Sequence, residues 1–147
     1  MPNRTMSFVL NCTPTPQQRA RHAVRGKFAS AYKSSAQKAN ERTLEALLLP
    51  HTPKTPTIGP VAVEITASFP VPISAPKKAK EGMLEGKICH TKKPDVDNLA
   101  KQMLDAMTRL QFWQDDRQVV SVTCTKRYAA TGSWAVNIRE VREGEQL

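Results

Sequence analysis

Two acidic clusters stand out in a strongly basic chain, Asp95-Val96-Asp97 and Asp115-Asp116. Paired carboxylates are hard oxygen donors of the kind Mg²⁺ prefers. An ion held there binds phosphate oxygens, activates a water and stabilises the leaving oxygen of a phosphodiester. Lys101 follows Asp97 by about one helical turn. There it supplies positive charge to a phosphate that gains negative charge on attack. The same residues also have a plain structural reading. Aspartates at a helix start cap free N–H groups and complement the macrodipole. Asp97, Lys101, Asp105 and Arg109 recur every four residues and equally describe a solvent-exposed ladder of ion pairs. Asp115-Asp116 equally describes a polar turn before a strand.

Chemistry requires elements that bring these groups together. Pro94 pushes Lys93 extended, which leaves Asp95 at the N-cap of a helix predicted over 96–110. Leu99, Met103, Ala106 and Leu110 form its core face, with Leu104 and Met107 beside them. Asp95 and Asp97 then converge on one point. A strand predicted over 118–128, packed beside that helix, brings a third carboxylate. Successive strand residues point to opposite faces, so Asp115 and Asp116 do not both enter the site, and parity alone does not choose.

Three further strands are predicted. One covers 5–12, where Met6, Phe8 and Leu10 alternate. A second covers 61–69, where Val61, Val63, Ile65, Ala67 and Phe69 alternate with Ala62, Glu64, Thr66 and Ser68. The third covers 133–141, after a turn at Thr131-Gly132. A helix is predicted over 34–49, with Leu44, Leu47 and Leu48 as its apolar stripe and Pro50 closing it. Residues 17–30 are basic and weakly periodic and read as loop. Residues 51–60 are Pro-rich and linker-like. Residues 72–93 read as a basic, flexible flap with a short helix near 77–85. This order predicts an α+β fold: a single domain over 1–147, with a mixed sheet of about four strands packed with two main helices.

Composition narrows the function classes. The chain has 147 residues, 22 Lys plus Arg against 13 Asp plus Glu, and a formal charge of +9. Hydrophobic residues at 39% and charged ones at 24% describe a globular protein. No apolar run approaches the roughly 20 residues of a membrane span, and the first residues hold too short an apolar stretch for a signal peptide. Cys12, Cys89 and Cys124 are odd in number and contain no CxxC pair, which excludes a disulfide framework and zinc-finger spacing and predicts a cytoplasmic protein with reduced thiols. These cysteines, like His22, His51 and His90, read as structural. Residues 1–42 carry eight Lys and Arg against Glu41 alone. Lys77, Lys78, Lys80, Lys87, Lys92 and Lys93 form a second basic cluster. Such clusters suit a polyanion, because each phosphate contact releases counterions. A solvated surface that keeps the protein soluble is the alternative.

The run KKPDVDNLAKQMLDAM, followed by FWQDDRQVV, resembles the RusA family of Holliday junction resolvases. That family carries an Asp-x-Asp-Asn-Leu-x-Lys helix start, a following Asp-Ala, and a Trp-x-Asp-Asp-x-Gln-Val-Val segment, all present here in order. The N-terminal part is similar to the phage-borne branch, with a strand, a Pro-rich basic turn, a helix and VAVEITASFP before a basic flap. The resemblance implies a Mg²⁺-dependent endonuclease, with Mn²⁺ able to substitute, that works as a homodimer on branched DNA and resolves four-way junctions by symmetric paired nicks in recombination and repair. It implies Asp95, Asp97 and Asp116 as catalytic metal ligands and Lys101 as the essential lysine. It thereby favours Asp116 over Asp115, which becomes a supporting group.

Asn98 is expected to support the loop–helix junction, and Asp105 to pair with Lys101 or Arg109. Phosphate contacts are expected from Arg19, Arg21, Arg25 and Lys27, and from Lys77, Lys78, Lys80, Lys92 and Lys93. Phe112 and Trp113 belong either to the core or to the dimer interface. The rival readings are a non-catalytic module that binds branched DNA, and a less selective nuclease for flaps or forks.

Overall fold

The computed structural model describes residues 4–17, 21–25, 28–32 and 35–147. In chain order the elements are β1 (Thr5–Leu10), β2 (Arg21–Arg25), β3 (Phe28–Tyr32), α1 (Ser35–Leu48), a 3-10 turn (Leu49–His51) and β4 (Val61–Pro70). Then follow α2 (Lys77–Leu84), α3 (Val96–Arg109), a second 3-10 turn (Asp116–Gln118), β5 (Val119–Ala129) and β6 (Ser133–Glu140). The main sheet has four strands in the order β1-β6-β4-β5. The expected α+β arrangement with a mixed four-stranded sheet is therefore present, with α2 added to the two main helices.

β4 occupies the interior of the sheet, antiparallel to β6 and parallel to β5. A parallel pair cannot be closed by a hairpin and needs a crossover. Here α2 and α3 lie in that crossover, which carries α3 back along the sheet. Val61, Val63, Ile65, Ala67 and Phe69 of β4 are buried, as their alternation predicts. Facing them, α3 buries Leu99, Met103, Ala106 and Met107, while α1 contributes Leu44 and Leu48. Leu104 and Leu110 are partly buried against this core.

Residues 17–30, expected as loop, include β2 and part of β3, which pair as an antiparallel ribbon with Arg25 opposite Phe28. Neither strand carries a clear hydrophobic alternation, so periodicity could not reveal them. The Gly26-Lys27 dipeptide between them was the available hairpin signal. Phe112 and Trp113 lie in the subunit core, at 1% and 0% exposure, which removes them as interface residues. The Trp113 indole N–H donates to Thr108 Oγ1 at 2.9 Å, so its one polar group is satisfied on burial.

Helix α3 stops through a Schellman-type closure. The Phe112 amide donates to the Met107 carbonyl and the Gln111 amide to the Thr108 carbonyl, both at 3.1 Å. The closure needs a left-handed residue, and Gln111 supplies it with φ of 63°. An L side chain there costs about 1–2 kcal/mol, whereas glycine tolerates the conformation but gives back about 0.5–1 kcal/mol in chain entropy. Gln111→Gly is therefore expected to raise the unfolding free energy by up to about 1 kcal/mol. Urea denaturation checks this; a clear loss of stability would contradict the strain argument.

Candidate active site

Asp95 stands at the N-cap of α3 with an extended backbone, φ −72° and ψ 158°, yet its side chain makes no capping hydrogen bond. Asp97 follows in the first helical turn. Asp95, Asp97 and Lys101 are exposed, and none of their side chains is hydrogen-bonded or ion-paired to another described residue. The capping expected of Asp95 is thus not made. The four-residue charge ladder does not form either. Arg109 pairs with Glu45 on α1 instead, and Asp105 has no ion pair among the described residues. Two carboxylates at a helix start with no partner among the described residues are open to a cation.

The next turns of α3 carry polar residues that fasten the N-terminal segment. Asn98 accepts from the Gln17 amide at 2.9 Å and donates to the Gln17 carbonyl at 3.0 Å. Gln102, buried, donates to the Thr15 carbonyl at 2.8 Å and accepts from Asn40 of α1 at 3.4 Å. The support expected of Asn98 is present, and the Pro-rich turn is held beside the acidic end of α3. Sequence reasoning missed Gln102, whose position among α3's core residues was its only signal.

Asp115 and Asp116 form the polar turn before the strand, the plainer of the two readings: they start the 3-10 turn that precedes β5 and do not open the strand. Strand parity therefore does not apply to them. Asp115 is the N-cap: its carboxylate accepts from the Arg117 amide at 2.8 Å and from the Arg117 guanidinium at 3.0 Å, while Gln118 Oε1 accepts from the Asp115 amide. These bonds leave Asp116 as the exposed carboxylate of the pair that does not cap the turn. Gln118 also donates to the carbonyls of Thr57 and Gly59, which anchors the turn near the start of β4.

The two acidic clusters lie at opposite ends of the sheet. The segment before Asp95 is held at the far end of β5, where the Lys126 ammonium donates to the Lys92 carbonyl at 2.7 Å and the Pro94 carbonyl at 3.1 Å. Asp116 precedes the first residue of that strand. Helix α3 has 14 residues and spans about 20 Å, so Asp116 lies on the order of 20 Å from Asp95 and Asp97. Among the described residues no three His, Cys, Asp or Glu side chains gather closely enough to hold a metal ion. The expected convergence of three carboxylates within one chain is not made, because the crossover runs α3 along the full strand. The donor chemistry of Asp95 and Asp97 fits a hard divalent cation, and Asp116 lies apart from them.

The basic residues singled out by the sequence fall on several elements. Lys92 and Lys93 are exposed just before Asp95, and Lys77 and Lys78 are exposed at the start of α2, with Lys80 half-buried. Helix α2 packs against β5. Arg21 and Arg25 lie on β2, whereas Arg19 and Lys27 lie outside the described residues. Burial, followed by the charges of Lys126 and Lys92, holds the His90 imidazole below its ordinary value. No helix among the described residues is long and apolar enough to cross a membrane.

An α+β domain that presents, among its described residues, unpartnered carboxylates next to Lys92 and Lys93 at a helix start carries a class of site suited to phosphodiester chemistry. Residues 11–139 match the family described as Endodeoxyribonuclease RusA, and the chain belongs to that family. It is similar to the crossover junction endodeoxyribonuclease rusA of Lactococcus phage r1t, 30% identical over 135 residues that cover 91% of this chain and 95% of the phage protein. It is also similar to the uncharacterized protein YqaN of Bacillus subtilis (strain 168), 32% identical over 138 residues that cover 92% and 96% of the two chains.

Bonds to Arg117 hold the Asp115 carboxyl down at about 2, below its ordinary 3.8. A depressed folded value means the contact contributes stability above about pH 4 and loses it as pH falls toward 2. Carboxyl NMR titration is expected to find Asp115 near 2 in the wild type and closer to the ordinary value in Arg117→Ala. An unchanged titration in that variant would show that Arg117 is not the cause.

Proposed function

We propose that this protein is a Holliday junction resolvase. On this reading it is a cytoplasmic endodeoxyribonuclease that uses Mg²⁺, with Mn²⁺ able to substitute, and cuts four-way junctions by paired symmetric nicks in recombination and repair. The observation that carries the reading is the Asp95–Asp97 helix start, unpartnered among the described residues, with Lys101 one turn on, in a chain of the RusA family. The names of the family and of the phage relative support DNA cleavage at crossovers.

The separation of Asp116 from Asp95 and Asp97 gives the homodimer a chemical reason. Among the described residues β5 pairs only with β4 and forms a free edge of the sheet, with Val120 and Val122 exposed. Such an edge is a template for another strand. On this reading a two-fold near Ser121 pairs β5 antiparallel with β5 of a second copy, Val120 against Val122. It sets Asp116 of that copy opposite Lys126, beside Asp95 and Asp97. Two complete sites then lie roughly 30 Å apart across the axis, placed to cut opposed strands of a junction.

Asp95 and Asp97 would hold the cation together with Asp116 of the second copy. When bound, the ion would polarise a phosphate oxygen and lower the pKa of an attacking water. Lys101 places a positive charge beside the phosphate as it gains negative charge. The basic 19–42 segment and the 72–93 flap would follow phosphates and so recognise shape more than sequence.

A synthetic four-way junction is expected to be cut with Mg²⁺ and left intact with EDTA. Asp95→Asn, Asp97→Asn and Asp116→Asn are each expected to slow cutting by about a thousandfold or more while junction binding persists. Asp115→Asn should cost less. Binding without cutting in the wild type would favour the non-catalytic module, and equal cutting of flaps and forks the less selective nuclease.

Subunit mixing tests the shared site. Asp95→Asn and Asp116→Asn proteins, each inactive alone, form mixed dimers in which one site collects both lesions and the other has none. Nicking activity should therefore return on mixing. Continued inactivity, with mixed dimers verified by mass spectrometry, would place all three carboxylates of each site in one chain.

A further inference from the structure

Lys126 belongs to neither acidic cluster, and no motif singles it out. It lies on β5 opposite Ala67 in the β4–β5 register. Its ammonium reaches across to the residues that lead into α3 and donates to the Lys92 carbonyl at 2.7 Å and the Pro94 carbonyl at 3.1 Å. Both are charge-assisted bonds, which are shorter and stronger than neutral ones. A second attachment sits at the other end of the same strap. His90 is buried, stacked on Phe69 at 4.1 Å and tilted against Tyr128 at 5.0 Å. Residues 90–94 are thus fixed to β4 and β5 at two points, a ring stack and an ammonium.

The strap matters because Asp95 is not positioned by its own side chain. Its carboxylate makes no capping hydrogen bond, and among the described residues the Asp95 carbonyl is held by the first helical bond, from the Leu99 amide at 3.1 Å. The direction in which Asp95 leaves the strap is therefore set by residues 92–94, of which the Lys92 and Pro94 carbonyls accept from Lys126. Groups that orient a metal ligand without touching the metal commonly change affinity by about 10- to 100-fold.

We propose that Lys126 is a positioning residue for the nuclease centre: by clamping the carbonyls of Lys92 and Pro94 it fixes the geometry with which Asp95 meets the cation. The inference rests on the metal-dependent nuclease reading above. It gives a role to a lysine of the strand that carries none of the carboxylates.

Three variants test it. Lys126→Met keeps the length of the side chain and removes the donors. Lys126→Arg keeps charge and donors. Arg127→Met removes the guanidinium that donates to Ser68 Oγ at 3.0 Å from the next residue of the same strand, and so reports on loosening of β5 as such. Three quantities are measured: the Mg²⁺ concentration for half-maximal junction cleavage, the junction affinity in EDTA, and the rate of tryptic cleavage after Lys92, followed by mass spectrometry without DNA or metal. Lys126→Met is expected to raise the Mg²⁺ requirement about tenfold and to speed cleavage after Lys92, with junction affinity in EDTA unchanged. Lys126→Arg should restore most of both, and Arg127→Met should alter neither. Wild-type values for Lys126→Met, or the same changes in Arg127→Met, would overturn the proposal. A wild-type protein that cuts no junction would instead overturn the resolvase reading, and the tryptic comparison would still decide whether Lys126 holds the strap.

Discussion

The parallel pairing of β4 with β5 governs the rest of the structure. Two strands that run the same way need a chain that returns across the face of the sheet, and α3 lies in that return. Its buried stripe of Leu99, Met103, Ala106 and Met107 sets the helix on the sheet. Its length then determines where the acidic residues fall. The helix starts at the far end of β5 and delivers the chain to the near end, so carboxylates before and after the helix cannot meet within one chain. The same pairing leaves the other side of β5 without a partner strand among the described residues, and an open edge is a template for another strand.

Around this frame the polar residues of α3 divide by task. Asn98 and Gln102 turn toward the protein and bind the backbone of Gln17 and Thr15, a use that satisfies amides which would otherwise be costly to bury. Asp97 and Lys101 stay exposed and unpaired among the described residues. Arg109 closes onto Glu45 of α1 and so takes part in helix packing rather than in a ladder along its own helix. Asp115 and Asp116 show the same division between neighbours. One caps a turn and binds Arg117, and the other is left to solvent.

The sequence alone determined the local features: the α+β class, the Val61 strand, both main helices and the identity of the acidic residues. These follow from short-range rules. A strand buried on one face alternates, a packed helix repeats its apolar residues every three to four positions, and a proline or an aspartate marks a helix start wherever the chain goes. Only the tertiary structure decided the distances between segments far apart in the chain. It put Phe112 and Trp113 in the core, formed β2 and β3 where no periodicity announced them, moved Asp116 about a helix length from Asp97, and brought Lys126 to the carbonyls before Asp95. The reason is that residue types record burial and backbone preference, whereas the end of a strand against which a helix begins depends on the direction of pairing, and strand direction leaves no mark on the alternation of its side chains.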